Sequence, residues 1–184
     1  MCIRDSFLIF PLGAGGRPWS IDGWNGGIMQ VLAHAFAKSA MFLAAGLIYE
    51  ALGHDRIAKF SGAARVMPMT FLTLGLGGLS LMGLPPSGGF AAKWLLMRAS
   101  IASGQWVWAL VLIGGGLLAA GYVWRILAPA LADAPVILKA PPRRAGEAIA
   151  LTLALVAVGL GFAPDSFFQL LDIGLPGLAL AGAP

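Results

Sequence analysis

The chain has 184 residues, of which 59% are apolar and only 11% are charged. Soluble domains carry about 25% charged residues. Because so few charges cannot cover a water-facing surface, the composition excludes an ordinary soluble protein and predicts a chain that is surrounded mostly by lipid.

The composition also excludes several kinds of functional site. The chain has one cysteine, Cys2, so it holds neither an internal disulfide nor a cysteine metal site. Its two histidines, His34 and His54, are far apart in the sequence and do not indicate a metal centre. There is no Gly-rich phosphate-binding loop, and the basic residues are not interleaved with aromatic ones as in nucleic-acid-binding proteins. We therefore expect no bound cofactor.

The first 26 residues form a segment of their own. A short apolar stretch at residues 7–10 ends at Pro11 and is too short to cross a bilayer. We expect this stretch to be the end of a helix that begins elsewhere. We do not expect it to be a secretory signal, because no basic segment followed by an apolar one occurs in residues 1–20. We therefore expect residues 1–26 to be a partial N-terminal segment or one that does not match the rest, and the chain to be a piece of a longer protein.

Residues 27–163 are predicted to form one polytopic, all-α transmembrane domain of about four spans. The first span, 27–52, is roughly 39 Å long as a helix, which is enough to cross a bilayer with some tilt. Two later spans are predicted at 106–127, where tryptophans lie near both ends, and at 146–162. Residues 164–184 are predicted to form a C-terminal tail.

The apolar segment 68–103 is too long for one ordinary crossing, and it is interrupted at residues 83–89. The interruption combines prolines, which lack amide donors, with glycines, which add backbone freedom: Gly83, Pro85, Pro86, Gly88 and Gly89. We expect two half-helices with unwound backbone between them. Such helices mark ion and substrate sites in transporters. The alternative is two separate spans joined by a Pro-Gly turn.

The basic residues are unevenly distributed between the loops. If each span crosses once, loops 53–67 and 128–146 share one face of the membrane. That face carries seven basic residues: Arg56, Lys59, Arg65, Arg125, Lys139, Arg143 and Arg144. The opposite face has at most two, Arg4 and Arg17. The positive-inside rule then predicts that both loops lie in the cytoplasm and that the C-terminus lies outside. We expect the membrane to be a bacterial inner membrane.

Two lysines are predicted in the membrane interior. Gln30, His34 and Lys38 are four residues apart, so they form one polar stripe on the first span. Burying a lysine at the bilayer centre costs about 2.5–3.5 kcal/mol. Lys38 lies too far from either helix end to reach water, so it must face protein, a cavity or a counter-charge. Lys93 opens the second half-helix, close to the carbonyls that the interruption frees.

A lysine at such a site can take up and release a proton, whereas an arginine does not deprotonate. The combination of His34, Lys38 and Lys93 with an interrupted helix therefore predicts proton or cation translocation. One alternative is a non-conducting structural subunit whose buried lysines are permanent ion-pair partners. Another is a channel formed by several copies of the chain.

Two segments resemble those of a known family. His34-Ala-Phe-Ala-Lys38 resembles the His-x-x-x-Lys helix of the antiporter-like membrane subunits shared by respiratory complex I and the Mrp-type cation/proton antiporters. Gly83-Leu-Pro-Pro-Ser-Gly-Gly-Phe-Ala-Ala-Lys93 resembles the broken helix that follows it in those subunits. The motifs occur in the family's order and spacing, and the resemblance extends from about residue 27 to residue 162.

The resemblance implies a fold of about fourteen transmembrane helices in two inverted repeats, of which this chain would be the last third. It implies that Lys93 is the terminal proton site facing the outside and that His34 and Lys38 belong to a polar axis along the membrane centre. It also implies membership of a Mrp-type sodium/proton antiporter or an NADH:quinone oxidoreductase, with other membrane subunits as partners. Such a subunit moves protons, and in an antiporter sodium, but holds no flavin, iron–sulfur cluster or NAD site.

Overall fold

The computed structural model describes residues 12–13, 17–163 and 165–172. The apolar stretch at residues 7–10 and residues 173–184 of the tail lie outside these ranges. Within the described part of the chain all regular structure is helical, which confirms the predicted all-α fold. The α-helices with described bounds are Ser20–Leu52 (α1), Ala63–Val66 (α2), Pro68–Met82 (α3), Gly88–Ala102 (α4), Val107–Ala130 (α5), Arg144–Gly159 (α6) and Asp165–Asp172 (α7), with 3₁₀ turns at Ile57–Lys59 and Leu160–Phe162.

Three of these helices are long and apolar enough to cross a membrane: α1, α5, and α6 together with its 3₁₀ extension, Arg144–Phe162. The half-helices α3 and α4 have 15 residues each. Each is therefore roughly 22 Å long, which is less than the ~30 Å thickness of a hydrocarbon core. The predicted interruption is confirmed, because α3 ends at Met82 and α4 begins at Gly88.

Helix α1 begins at Ser20, seven residues before the predicted start near residue 27. The prediction was wrong because glycine-rich sequence there was not expected to be helical. A Cβ on Gly23 would lie 2.6 Å from the backbone of Leu12, and one on Gly26 would lie 3.0 Å from Leu96. These glycines let α1 approach its neighbours closely, so packing overrides their low helix propensity.

Helix α1 ends at a glycine, in agreement with the sequence. Gly53 has a left-handed φ of 73°, and its N–H donates to the Tyr49 carbonyl at 2.8 Å. The backbone N–H of Lys139 donates to the carbonyl of Ala51 at 2.8 Å. The loop at 131–143 thus supplies a donor to the end of α1 that the helix itself cannot provide.

The two half-helices run in the same direction along α1. In α3, a Cβ on Gly77 would lie 2.8 Å from Met41, in the second half of α1. In α4, Arg98 forms a 3.2 Å ion pair with Asp22, in the first turn of α1. Two antiparallel spans joined by a turn would reverse direction between these contacts. The arrangement therefore fits a single interrupted helix.

Helix α5 runs back beside both half-helices. Near its start, Leu112 packs in a buried cluster with Leu96 of α4. Near its end, Val123 lies against α3, where a Cβ on Gly78 would be 2.7 Å from its side chain. Helix α5 thus runs past the interruption and packs against both half-helices.

Helix α6 returns from the same end of the bundle. A Cβ on Gly146 would lie 3.0 Å from Leu47, near the end of α1. In the 3₁₀ extension, a Cβ on Gly161 would lie 2.5 Å from the carbonyl carbon of Ser87. The extension of α6 therefore packs directly against the interruption.

One end of the bundle collects the basic loops. A buried cluster there joins the end of α1, the connecting loop, the start of α3 and the end of α5. Its members include Leu52, Phe60, Met67, Phe71 and Ala130. Arg143, just before α6, lies 3.5 Å from Glu50 of α1. We call this the basic end, because loops 53–67 and 131–143 lie there.

The bundle is apolar on its outside and packed through small residues inside. Phe42, Leu117 and Trp124 are each about 70% exposed. The fully buried positions of α1 and α6 are largely alanines: Ala33, Ala37, Ala40, Ala44, Ala150, Ala154 and Ala157. Close contact through small residues, with large apolar side chains facing outward, is typical of helices that associate within lipid.

Candidate functional site

The interruption leaves the last carbonyls of α3 without helical partners, and each of them finds another donor. The N–H of Gly83 donates to the carbonyls of Leu79 and Ser80, both at 3.1 Å. Lys93 supplies the rest, because its Nζ donates to the carbonyl of Leu81 at 2.9 Å and to that of Met82 at 3.0 Å. The lysine of one half-helix thereby caps the other half-helix.

Two glycines make room for this lysine. Gly83 has a φ of 78°, which side-chain-bearing residues rarely adopt, and a Cβ there would lie 2.6 Å from Cδ of Lys93. On α5, a Cβ on Gly116 would lie 2.7 Å from the carbonyl oxygen of Met82 and 3.5 Å from Nζ of Lys93. The position of the ammonium group therefore depends on the absence of two side chains.

The start of α4 is fixed by a serine. Oγ of Ser87 accepts a hydrogen bond from the N–H of Phe90 at 3.1 Å and donates one to the Leu84 carbonyl at 2.7 Å. The next two residues allow close approach: a Cβ on Gly88 would lie 3.0 Å from Ala33, and one on Gly89 would overlap the backbone of α3. Pro85 and Pro86 are exposed and joined by a cis peptide bond.

A pocket of about 240 Å³ opens beside Lys93. Its other lining residues are almost all apolar and come from the interruption, α4 and α5, among them Leu84, Trp94, Leu112 and Leu117. Lys93 is half-buried at this pocket. Its ammonium group therefore binds backbone carbonyls at the edge of a largely apolar pocket.

The predicted polar stripe on α1 is half-buried or buried along its length. Gln30 is 5% exposed, whereas His34 and Lys38 are half-buried. Oε1 of Gln30 and Nδ1 of His34 are both buried, and neither has a hydrogen-bond partner within the part of the chain that the structure describes. Buried polar atoms normally have partners, so these two atoms are suited to bind water or a further polar group.

Lys38 has very different surroundings from Lys93. Its Nζ lies 5.3 Å from the ring centroid of Phe42, within the range of a cation–π contact. It lines a second pocket of about 210 Å³, with Met41 and Leu74 on one side and Tyr122 and Ile126 of α5 on the other. The structure therefore brings Lys93 to the interruption but places the two lysines in separate pockets, both of which border α5.

Sequence reasoning missed two polar contacts. Asp22 pairs with Arg98, and Oγ1 of the fully buried Thr70 donates to Oε1 of Glu147 at 2.7 Å. Each pair joins residues that are more than 70 positions apart in the sequence. A single sequence carries no signal that would pair them.

Comparison with known proteins identifies the family. A sequence model of the family described as NADH:quinone oxidoreductase/Mrp antiporter, transmembrane, matches residues 15–119, which is more than half of the chain. The match includes α1, both half-helices, Lys38 and Lys93. It begins earlier than residue 27, where the sequence resemblance was expected to start.

Individual relatives carry related names. The chain is 37% identical over 102 residues to NADH-quinone oxidoreductase subunit N of Desulforudis audaxviator. The aligned region covers 55% of this chain and 20% of that protein. It is 32% identical over 110 residues to subunit L from Mycobacterium tuberculosis, covering 57% of this chain and 17% of that protein. The chain therefore matches only about a fifth of the length of these relatives.

A solved structure shows the same fold. The Mrp complex from Dietzia sp. DQ12-45-1b contains a chain that superposes with a TM-score of 0.75 at 24% identity, covering 88% of this chain and 39% of that one. The family match and the apolar helices identify an integral membrane protein. The chain belongs to the NADH:quinone oxidoreductase/Mrp antiporter transmembrane family.

Proposed function

We propose that the chain is part of a proton-translocating membrane subunit in which Lys93, Lys38 and His34 pass protons through the interior. The observation that carries the proposal is the ammonium group of Lys93, which donates to the carbonyls of Leu81 and Met82 at the interruption of a helix. Interrupted helices with freed carbonyls are where membrane transporters bind ions. A lysine in that place can both hold and release a proton.

The family suggests the assembly. We infer that the complete protein is a subunit of a Mrp-type sodium/proton antiporter or of an NADH:quinone oxidoreductase, because relatives carry these names. Other membrane subunits would then be its partners, and redox cofactors would lie in other subunits. We infer from the positive-inside rule that the basic end faces the cytoplasm and that the C-terminus lies outside. The bacterial sources of the relatives suggest a bacterial inner membrane.

A structural role for Lys93 is the second candidate, and the same two hydrogen bonds favour it. A lysine that caps the carbonyls of α3 stabilises the interruption whether or not it ever loses its proton. In that case the chain would be a non-conducting membrane subunit. The two functions differ in one requirement, because only translocation needs the lysine to deprotonate.

Replacement of Lys93 by arginine separates the two functions. The Lys93→Arg variant of the complete protein keeps a positive charge and hydrogen-bond donors but does not release a proton. In sealed vesicles, with proton uptake followed by a pH-sensitive dye, we expect Lys93→Arg and Lys93→Ala each to lower the rate by at least about tenfold. Lys59→Ala, an exposed lysine at the basic end, serves as the control and is expected to keep the parental rate.

The outcome with arginine decides between the candidates. A parental rate in Lys93→Arg, with loss in Lys93→Ala, would establish the capping role and refute proton release from this lysine. A parental rate in both variants would overturn the proposed function. Amounts of each variant in the membrane, measured by immunoblot, correct the rates for differences in assembly.

A further inference from the structure

We propose that Glu147 takes up protons at the basic end and that buried hydroxyl groups of α3 lead from it to the interruption. This inference rests on the proposed function and adds an entry route to it. The route consists of Glu147, Thr70, Thr73 and Ser80.

Glu147 lies at the boundary between the basic end and the interior. It is in the first turn of α6, where it is half-buried, while Thr70 in the first turn of α3 is 0% exposed. The hydroxyl of Thr70 donates to Oε1 of Glu147 at 2.7 Å. A carboxylate in this position can accept a proton from water at the basic end and pass it to a partner inside the bundle.

The hydroxyls of α3 continue from this point into the bundle. Thr70, Thr73 and Ser80 lie within about 80° of one another around the helix axis, on one face. Their exposures are 0%, 0% and 2%. The rise from Thr70 to Ser80 is roughly 15 Å, which is about half the thickness of a hydrocarbon core. The hydroxyl of Thr73 donates to the carbonyl of Met69 at 2.9 Å within α3. The three hydroxyls therefore mark one face between the basic end and the interruption without forming a continuous hydrogen-bonded chain.

Ser80 ends this line beside the first residues of α4. Its Oγ is buried and has no hydrogen-bond partner in the described part of the chain, and a Cβ on Gly89 would lie 3.2 Å from it. Buried hydroxyls are normally hydrogen-bonded, and water is the partner that serves where protein supplies none. Water would likewise provide a hydrogen-bond partner for Oε1 of Gln30 and Nδ1 of His34.

The interval between Thr73 and Ser80 contains no hydroxyl on this face, so water must bridge it. Gly77 lies in the interval, and the side chain of Met41 rests against it. Methionine is flexible and adapts to irregular gaps.

A structural interpretation of the Thr70 contact is that it only fastens α6 to α3. The Glu147→Gln variant distinguishes the two, because the amide oxygen still accepts a hydrogen bond from Thr70 but the side chain no longer carries a proton. Glu50→Gln is the matched control. Glu50 is an exposed carboxylate at the same end of the bundle, and it contacts Arg143 instead of a buried hydroxyl.

The experiment measures proton uptake into sealed vesicles by the complete protein, with Lys93→Ala tested in parallel. We expect Glu147→Gln to lower the rate by at least about tenfold, Glu50→Gln to leave it unchanged, and Glu147→Asp to recover part of the loss. Ser80→Ala, which is remote from Glu147 and removes no hydrogen bond to another helix, is expected to lower the rate as well.

The parallel variants keep the two proposals apart. A parental rate in Glu147→Gln, with loss in Lys93→Ala, would overturn the entry route and leave the proposed function standing. A parental rate in both would overturn the proposed function itself. If Glu147→Gln fails to accumulate in the membrane, Ser80→Ala decides, and a parental rate in that variant refutes the route.

Discussion

Lys93 and Lys38 are both lysines of the same helix bundle, but their ammonium groups have different partners. Nζ of Lys93 donates to two backbone carbonyls at the helix interruption. Nζ of Lys38 lies over the ring of Phe42, in a pocket lined mainly by apolar side chains. The ammonium group of Lys93 thus binds carbonyls that the helix interruption frees. That of Lys38 contacts an aromatic ring of its own uninterrupted helix.

The difference shows what an interruption provides. Inside an intact helix such as α1, each backbone carbonyl already accepts a hydrogen bond from the helix and therefore needs no side-chain donor. Between α3 and α4 four carbonyls are released, and Lys93 binds two of them. We therefore expect Lys93 to contribute to folding as well as to function, and Lys38 to contribute little to folding.

The largest effect on stability is expected from Lys93→Met. Methionine has a similar length but cannot donate, so the carbonyls of Leu81 and Met82 lose their partner. Each unpaired buried carbonyl costs about 1–3 kcal/mol, so the variant should lose about 2–6 kcal/mol of stability. Chemical unfolding in detergent, followed by tryptophan fluorescence, measures this loss. A parental unfolding midpoint would contradict the capping role.

A smaller loss is expected from Gly83→Ala. The left-handed φ of Gly83 costs about 1–2 kcal/mol for a residue with a side chain, and the new Cβ would also press on Lys93. Gly104→Ala is the matched control, because Gly104 has a φ of 75° and nothing within 4 Å of an added Cβ. The difference between the two unfolding free energies isolates the contact with Lys93. Equal losses would mean that Gly83 serves the turn alone.

The smallest effect on stability is expected from Lys38→Met. The variant loses a cation–π contact of about 0.5–1 kcal/mol but also removes a charge from apolar surroundings, so the two changes nearly offset. We expect an unfolding midpoint close to the parental one. Proton uptake should nevertheless fall, since Lys38 belongs to the proposed relay. A large loss of stability would show that Lys38 has partners as strong as those of Lys93.

The interruption was predictable because its causes are local. Prolines without amide donors and glycines with free backbones act on the residues next to them, so Gly83, Pro85 and Gly88 indicate a helix end from sequence alone. The polar stripe on α1 was predictable for the same reason, since helical spacing fixes which residues share a face. Family motifs then indicated which bundle these elements form.

The contacts that the sequence did not predict are those made between helices. The hydrogen bond from Thr70 to Glu147 depends on how α3 packs on α6, and periodicity along either helix carries no information about it. Helix α1 was predicted too short for a related reason. Gly23 and Gly26 are poor helix formers by themselves, and only their neighbours show that they are packing surfaces.

The parallel course of α3 and α4 has an electrostatic consequence. Their backbone dipoles point the same way, so the carbonyl end of α3, equivalent to about half a negative charge, faces the interruption from one side. The ammonium group of Lys93 lies at that negative pole. The end of α3 thus supplies a counter-charge made of backbone carbonyls to this ammonium group. Salt screens a partly buried interaction of this kind less than an exposed one.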